Sequence, residues 1–206
     1  MAITPETRDY RTFEVRALPQ ESGDGQKQCR VEGYAAVFDE ETVLYEYDGI
    51  QYKEVIDRNA FSGAEMRDVV MNFNHGGKPV ARTKNGTLAL AVDSKGLRIS
   101  ADLSGTEEGR RLYEEIRGGY LDQMSFAFTI NKQEYDRAKR LRRITGFKRI
   151  FDVAAVDVPA YGGTSIAARS WAQAEAERES AEAGKRRRLA LKLKLNGITE
   201  EETSDE

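Results

Sequence analysis

"YLDQMSFAFTINKQEY", residues 120–135, decides how the chain is read. In an extended strand Met124, Phe126, Phe128 and Ile130 fall on one face, and Ser125, Ala127 and Thr129 fall on the other. The large apolar set suits a core. The small polar set leaves room for a bulky group to approach Ser125, which is what a nucleophilic serine requires: an exposed hydroxyl, space for a carbonyl, and a base within reach. One such strand needs partners, and the flanking sequence supplies them.

"RTFEVRA" (11–17) alternates Phe13, Val15 and Ala17, and "CRVEGYAAVFD" (29–39) is a second apolar stretch. "LYEYDGIQYKEVI" (44–56) carries Asp48-Gly49, a two-residue hairpin signal. "VVMNFNH" (69–75), "VARTK" (80–84) and "TLALAV" (87–92) follow, the last two joined by Asn85-Gly86, which predicts another hairpin. "DSKG" (93–96) predicts a tight turn into "GLRISADL", and "RRITGFKRIFDVAAVDV" (142–158) reads as a long strand kinked or bulged at Gly146. Two helices interrupt the strands. "IDRNAFSGAEM" (56–66) predicts a short one capped by Asp57. "SGTEEGRRLYEEIRGG" (104–119) predicts a longer one, with Ser104 and Glu107 as a capping box, Leu112 and Ile116 on one face, and Gly118-Gly119 as the stop. The fold class expected is α+β, mainly β: a mixed barrel or sandwich.

The character changes near Ala168. Residues 169–206 are rich in Ala, Glu, Arg and Lys and lack an apolar stripe, so a protein domain over 1–168 with a charged, partly helical or disordered tail is expected. Within the tail "KRRRLALKLKL" (185–195) suggests a basic amphipathic segment that touches a partner or a lipid surface. At 206 residues with a net charge of -3, the chain gives no reason to expect nucleic acid or an anionic membrane as partner. No apolar run reaches the roughly 20 residues of a membrane span, and the N-terminus lacks a signal-peptide core. One cysteine and one histidine cannot assemble a His/Cys zinc site, and no cofactor motif is present: "HGGKP" lacks the pattern around a phosphate-binding loop.

That one histidine is His75. It has the parity of Val69, Met71 and Phe73, so it is expected to continue their inward-facing row to the end of the strand, where Gly76-Gly77 leaves the backbone open. A base there is accessible. A third group must hold the imidazole in one tautomer, and "IFDVAAVDVPA" offers Asp152 and Asp157. Asp152 lies between Phe151 and Val153, where a charge needs a partner. Asp157 has the ordinary alternative of a turn carboxylate ahead of Pro159.

"NFNHGGKPVA" (72–81), "LDQMSFAF" (121–128) and "IFDVAAVDVPAYGGTSI" (150–166), in this order, resemble the prohead (capsid-maturation) protease family of tailed bacteriophages. "VEGYAAVFD" and "EVIDRNAF" resemble that family's opening blocks, and the likeness runs from about residue 10 to residue 168. It implies an assemblin-like barrel of about seven strands surrounded by helices. It implies a serine endopeptidase with His75 as general base, Ser125 as nucleophile and Asp152 as orienting acid, using no cofactor. Its substrates would be scaffold and major capsid protein segments, and itself, inside the assembling procapsid in the host cytoplasm; a homo-oligomer is left open. The chain departs from the family pattern at Gly76, often an acid, and at Asp152 and Ala154, usually a glutamate and a serine. The rival readings are a non-catalytic capsid-assembly module on the same barrel and a small β-barrel binder of an unrelated ligand.

Overall fold

Strand alternation carries most of the chain into one curved sheet. The computed structural model describes residues 9–18, 29–157 and 166–202. Its strands are β1 (Asp9–Ala17), β2 (Arg30–Val37), β3 (Thr42–Tyr47), β4 (Ile50–Ile56), β5 (Val70–Phe73), β6 (Gly76–Arg82), β7 (Leu88–Val92) and β8 (Gly96–Asp102). After helix α1 (Glu107–Arg117) come the two longest strands, β9 (Gln123–Asp136) and β10 (Leu141–Val156), and then helix α2 (Ile166–Glu202). The fold is α+β and mainly β. Where about seven barrel strands were expected, eight run in the order β3-β4-β10-β9-β1-β2-β8-β7 as a curled half-barrel, and the β5–β6 hairpin joins through β5 to β10.

Most pairings are antiparallel. β10 is the exception: its first part pairs in parallel with β4 and its second part in parallel with β5. Parallel partners need long crossovers, so these contacts unite segments far apart in sequence. The core side of β9 and β10 holds an aromatic cluster. Phe147 lies 4.6 Å from Phe61 and 4.8 Å from Phe128, and Phe126 stacks on Phe128 at 4.6 Å. Each buried phenylalanine contributes about 1.5–3 kcal/mol by apolar burial. This packing fixes the two strands that carry Ser125 and Asp152.

Several local expectations meet their structural counterparts. Asp48-Gly49 forms the two-residue turn between β3 and β4, with φ of 52° and 71°, as a twisted hairpin requires. Asp93 to Gly96 closes the β7–β8 hairpin. Leu112 and Ile116 are buried, and Gly119 ends α1 with φ 74°.

Others are corrected. The cap of α1 is Thr106 and not Ser104: its side-chain oxygen accepts the Gly109 N–H at 2.9 Å, two residues later than the capping box implied. Asn85-Gly86 makes no hairpin. Gly86, at φ 77°, closes a single 3-10 turn (Thr83–Asn85), and β7 pairs with β8 while β6 pairs with β5. Residues 57–66 are not a helix. Their bonds run only to the third residue on, Ala60 N to Asp57 O and Ser62 N to Asn59 O, and then Glu65 diverts to bridge β10. Burying Ala60 and Phe61 in the core outweighs the local helical preference.

The chain divides into two compact units, Met1–Arg169 and Ser170–Glu206. In the second, α2 is charged and nearly all of its residues from Glu177 to Leu193 are exposed. Leu189, Leu191 and Leu193 are each at least 60% exposed. Their spacing of two puts Leu191 on the opposite side of a helix from the other two, so these three leucines do not line up on one face. Among the described residues no helix is long and apolar enough to cross a membrane.

Candidate active site

Pleat and register place the candidate residues. Ser125 pairs with Ala154 of β10, and Ala154 pairs with Asn72 of β5, so these three side chains share one face in one row. Ala127, Asp152 and Val70 form the next row on that face. The opposite face holds Met124, Phe126, Val153 and Met71, all fully buried. Ser125 and Asp152 are therefore diagonal neighbours on adjacent strands, about 7–8 Å apart between backbones. The small side chains of Ala127 and Ala154 lie around them.

Asp152 owes its place to an irregularity in β10. Ile150 pairs with Phe128 on the core face, and strict alternation would put Asp152 there too. The register shifts between Ile150 and Asp152, so that Asp152 pairs with Ala127 on the Ser125 face. Phe151 is the extra residue. Bulges beside active sites commonly re-aim a side chain in this way. Here the shift moves a carboxylate out of an aromatic core, where it could not stay charged.

His75 reaches the same face by a route that differs from the one expected. It does not extend the row of Val69 and Met71: β5 ends at Phe73, which is 41% exposed. Phe73 pairs with Gly76 across a two-residue turn in which Asn74 has φ 49° and His75 has φ 56°. Two successive left-handed residues make the tight turn whose twist matches a hairpin, and asparagine is favoured in it. The turn is tied down by Asn74, whose N–H donates to Ala155 O at 2.9 Å and whose side-chain oxygen accepts the Asp157 N–H at 3.3 Å. The sequence reading missed Asn74. Its signal was an asparagine heading a glycine-rich turn, "NHGG".

From that turn the imidazole folds back onto β10. His75 Nδ1 and Asp152 Oδ1 are hydrogen-bonded, between side chains that are 17% and 7% exposed. A carboxylate at Nδ1 favours the tautomer with its proton there, which leaves Nε2 as the basic nitrogen. Ser125 is 3% exposed. Asp157, the alternative acid, is exposed at the end of β10 and offers its backbone N–H to Asn74. The structure thus brings His75, Ser125 and Asp152 to one face, with His75 and Asp152 in contact. Val158 to Ser165, part of the third matching block, lies outside the described residues.

A hydroxyl on a rigid strand, an imidazole and a buried carboxylate in contact with it are groups that acyl transfer at a serine uses. No curated protein and no solved structure matches the chain. The profile of one family, described as the caudovirus prohead serine protease, matches residues 13–179, running past residue 168 into α2. The chain belongs to the caudovirus prohead serine protease family.

Proposed function

We propose that the protein is a serine endopeptidase that cuts scaffold or major capsid protein segments, and itself, as the procapsid matures. Ser125 is the nucleophile, His75 the general base and Asp152 the orienting acid. The reading rests above all on the His75–Asp152 contact, made on the face that carries Ser125 and one diagonal step from it. The family supports the reaction class and the setting.

In the mechanism His75 Nε2 takes the Ser125 proton as Oγ attacks the scissile carbonyl, and the tetrahedral intermediate forms. Asp152 then faces an imidazolium and lowers its energy. His75 returns the proton to the leaving amine, the peptide bond breaks, and an acyl-enzyme remains. Water, deprotonated by the same imidazole, hydrolyses it. The developing oxyanion needs preorganised N–H donors, which commonly supply a large share of the rate gain.

A fluorophosphonate probe tests this on the full-length protein. Covalent labelling of Ser125, lost in Ser125→Ala and strongly slowed in His75→Ala, is the expected result. No labelling of the folded wild-type protein would instead support a non-catalytic assembly module. Co-expression with the capsid and scaffold proteins, followed by mass spectrometry of new termini, identifies the substrates and any self-cleavage.

A further inference from the structure

Ser125 has different neighbours on its two sides. Toward β10 stand Asp152 and His75. Toward β1 the same outer face continues into a cleft of about 720 Å³ whose wall begins at Gln123, two residues along β9 from Ser125. Gln123 pairs with Glu14 of β1, which makes Glu14 a diagonal neighbour of Ser125, about 7–8 Å away between backbones. A polypeptide whose scissile carbonyl sits at Ser125 has the catalytic pair on one side, so its neighbouring side chains extend over this cleft.

The charges in the cleft are not equally committed. Glu32 is gripped by Arg98 at 2.6 Å and by Arg16, and these two guanidiniums hold its carboxyl below the usual glutamate value. Lys95 lies over the Tyr34 ring, 4.5 Å from its centre, and Tyr34 donates to Asp93 at 2.8 Å. Glu14 is exposed on the cleft wall and has no ion-pair or side-chain hydrogen-bond partner among the described residues. Glu40, the other exposed carboxylate of the lining, lies outside the paired strands, so among the described lining residues the charge one diagonal step from Ser125 and without such a partner is the Glu14 carboxylate.

We propose that Glu14 is a specificity residue, taking a lysine or arginine of the substrate next to the scissile bond. The inference rests on the serine-endopeptidase reading and adds to it the class of side chain selected. A cation entering the cleft finds a partner without displacing an existing pair. An acidic side chain next to Ser125 would be repelled by Glu14, while Arg16 and Arg98 lie further along the wall on Glu32. Selection by like-charge exclusion and opposite-charge attraction is the ordinary way an exposed charge discriminates between partners.

The test uses the full-length protein, its Glu14→Gln and Glu14→Lys variants, and a mixed peptide library read by mass spectrometry. A plain alkyl fluorophosphonate serves as the control. Wild-type cuts should be enriched in Lys or Arg at one fixed position within three residues of the scissile bond. Glu14→Gln should lower kcat/KM for such peptides about tenfold, the step that one modest charge interaction represents. Glu14→Lys should turn the preference toward Asp or Glu. All three proteins should still be labelled at Ser125 by the plain probe, since it makes no use of the cleft. If the plain probe labels Ser125 but the cuts show no basic preference, or the preference survives in Glu14→Lys, the specificity proposal is overturned and the peptidase reading stands. If the plain probe labels no form of the folded protein, the peptidase reading falls and this proposal falls with it.

Discussion

Strand β10 carries two pairs of largely buried ionisable side chains, one near each end, and they are built differently. Near its start Arg142 meets Glu54 at 3.1 Å, with side chains 6% and 2% exposed. The two residues are direct register partners on parallel strands, and Arg142 Nε donates to Gln133 at 2.8 Å. Near its end Asp152 meets His75, but His75 comes from a left-handed turn and Asp152 from a bulge. A guanidinium does not give up its proton in a protein, so Arg142 can hold strands together but cannot act as a base. An imidazole, unlike a guanidinium, can accept a proton in one step of a reaction and pass it on in the next, so the second pair can take part in chemistry. Regular pairing builds the fixed pair and irregular backbone builds the switchable one. That contrast separates structure from chemistry on a single strand.

The largest effects should come from disabling the switchable end. His75→Ala and Ser125→Ala should each reduce kcat by up to about 10⁶, and the double variant should be hardly worse than either, because the two groups act as one unit. Single-turnover cleavage of a peptide cut by the wild type measures this. Multiplicative losses in the double variant would mean that the two residues work independently.

Asp152→Asn keeps the shape of the pair and removes its charge. The asparagine amide also permits the wrong histidine tautomer. A fall in kcat approaching about 10⁴ is expected, with the thermal melt little changed. Asp157→Asn should alter kcat only slightly. A steep loss at Asp157 and none at Asp152 would move the orienting role to the strand end.

The fixed end should respond in the opposite sense. Arg142→Met strands the Glu54 carboxylate in the interior and should cost about 3–5 kcal/mol of stability in urea unfolding. Activity per folded molecule should be unchanged. The double variant Arg142→Met/Glu54→Leu should recover most of the loss, because a well-packed apolar pair removes the stranded charge. If the double variant is as unstable as the single, the pair holds more than its own charges.

The same contrast explains what the sequence discloses. Regular features were legible: the alternation over residues 122–130 did put Ser125 on the face opposite Met124 and Phe126, though buried where an exposed hydroxyl was expected, and Asp48-Gly49 did form its hairpin. The irregular ones were not. Parity put His75 on an inward row, but its place comes from a turn that alternation cannot represent. Asp152 would share the core face with Ile150 under strict alternation, and only a one-residue shift against β9 turns it outward. Nothing local encodes that shift, because it depends on which residues of β9, 22 to 25 positions earlier, lie opposite. Asn85-Gly86 was misread for a related reason. The dipeptide does turn the chain, but the strand following it finds β8 as its partner instead of the strand before it.

The smallest expected effect probes the turn that joins structure to chemistry. Asn74 holds φ at 49° and accepts the Asp157 N–H, so it fixes the His75 backbone against the end of β10. In Asn74→Ala a side chain with no local hydrogen bond must enter the left-handed region, at about 1–2 kcal/mol. The bond to Asp157 is lost as well, worth about 0.5–1.5 kcal/mol. Asn74→Gly loses only the second term, since glycine enters that region freely. Stability should therefore fall in the order wild type, Gly, Ala. Activity has a different dependence, because glycine frees the backbone that aims the imidazole. If the turn acts on His75 mainly by limiting its orientation, kcat should fall several-fold in both variants, and at least as far in Asn74→Gly as in Asn74→Ala, despite the glycine variant's smaller loss of stability. Parallel losses of stability and kcat across the two variants would show that the turn matters to His75 only through folding.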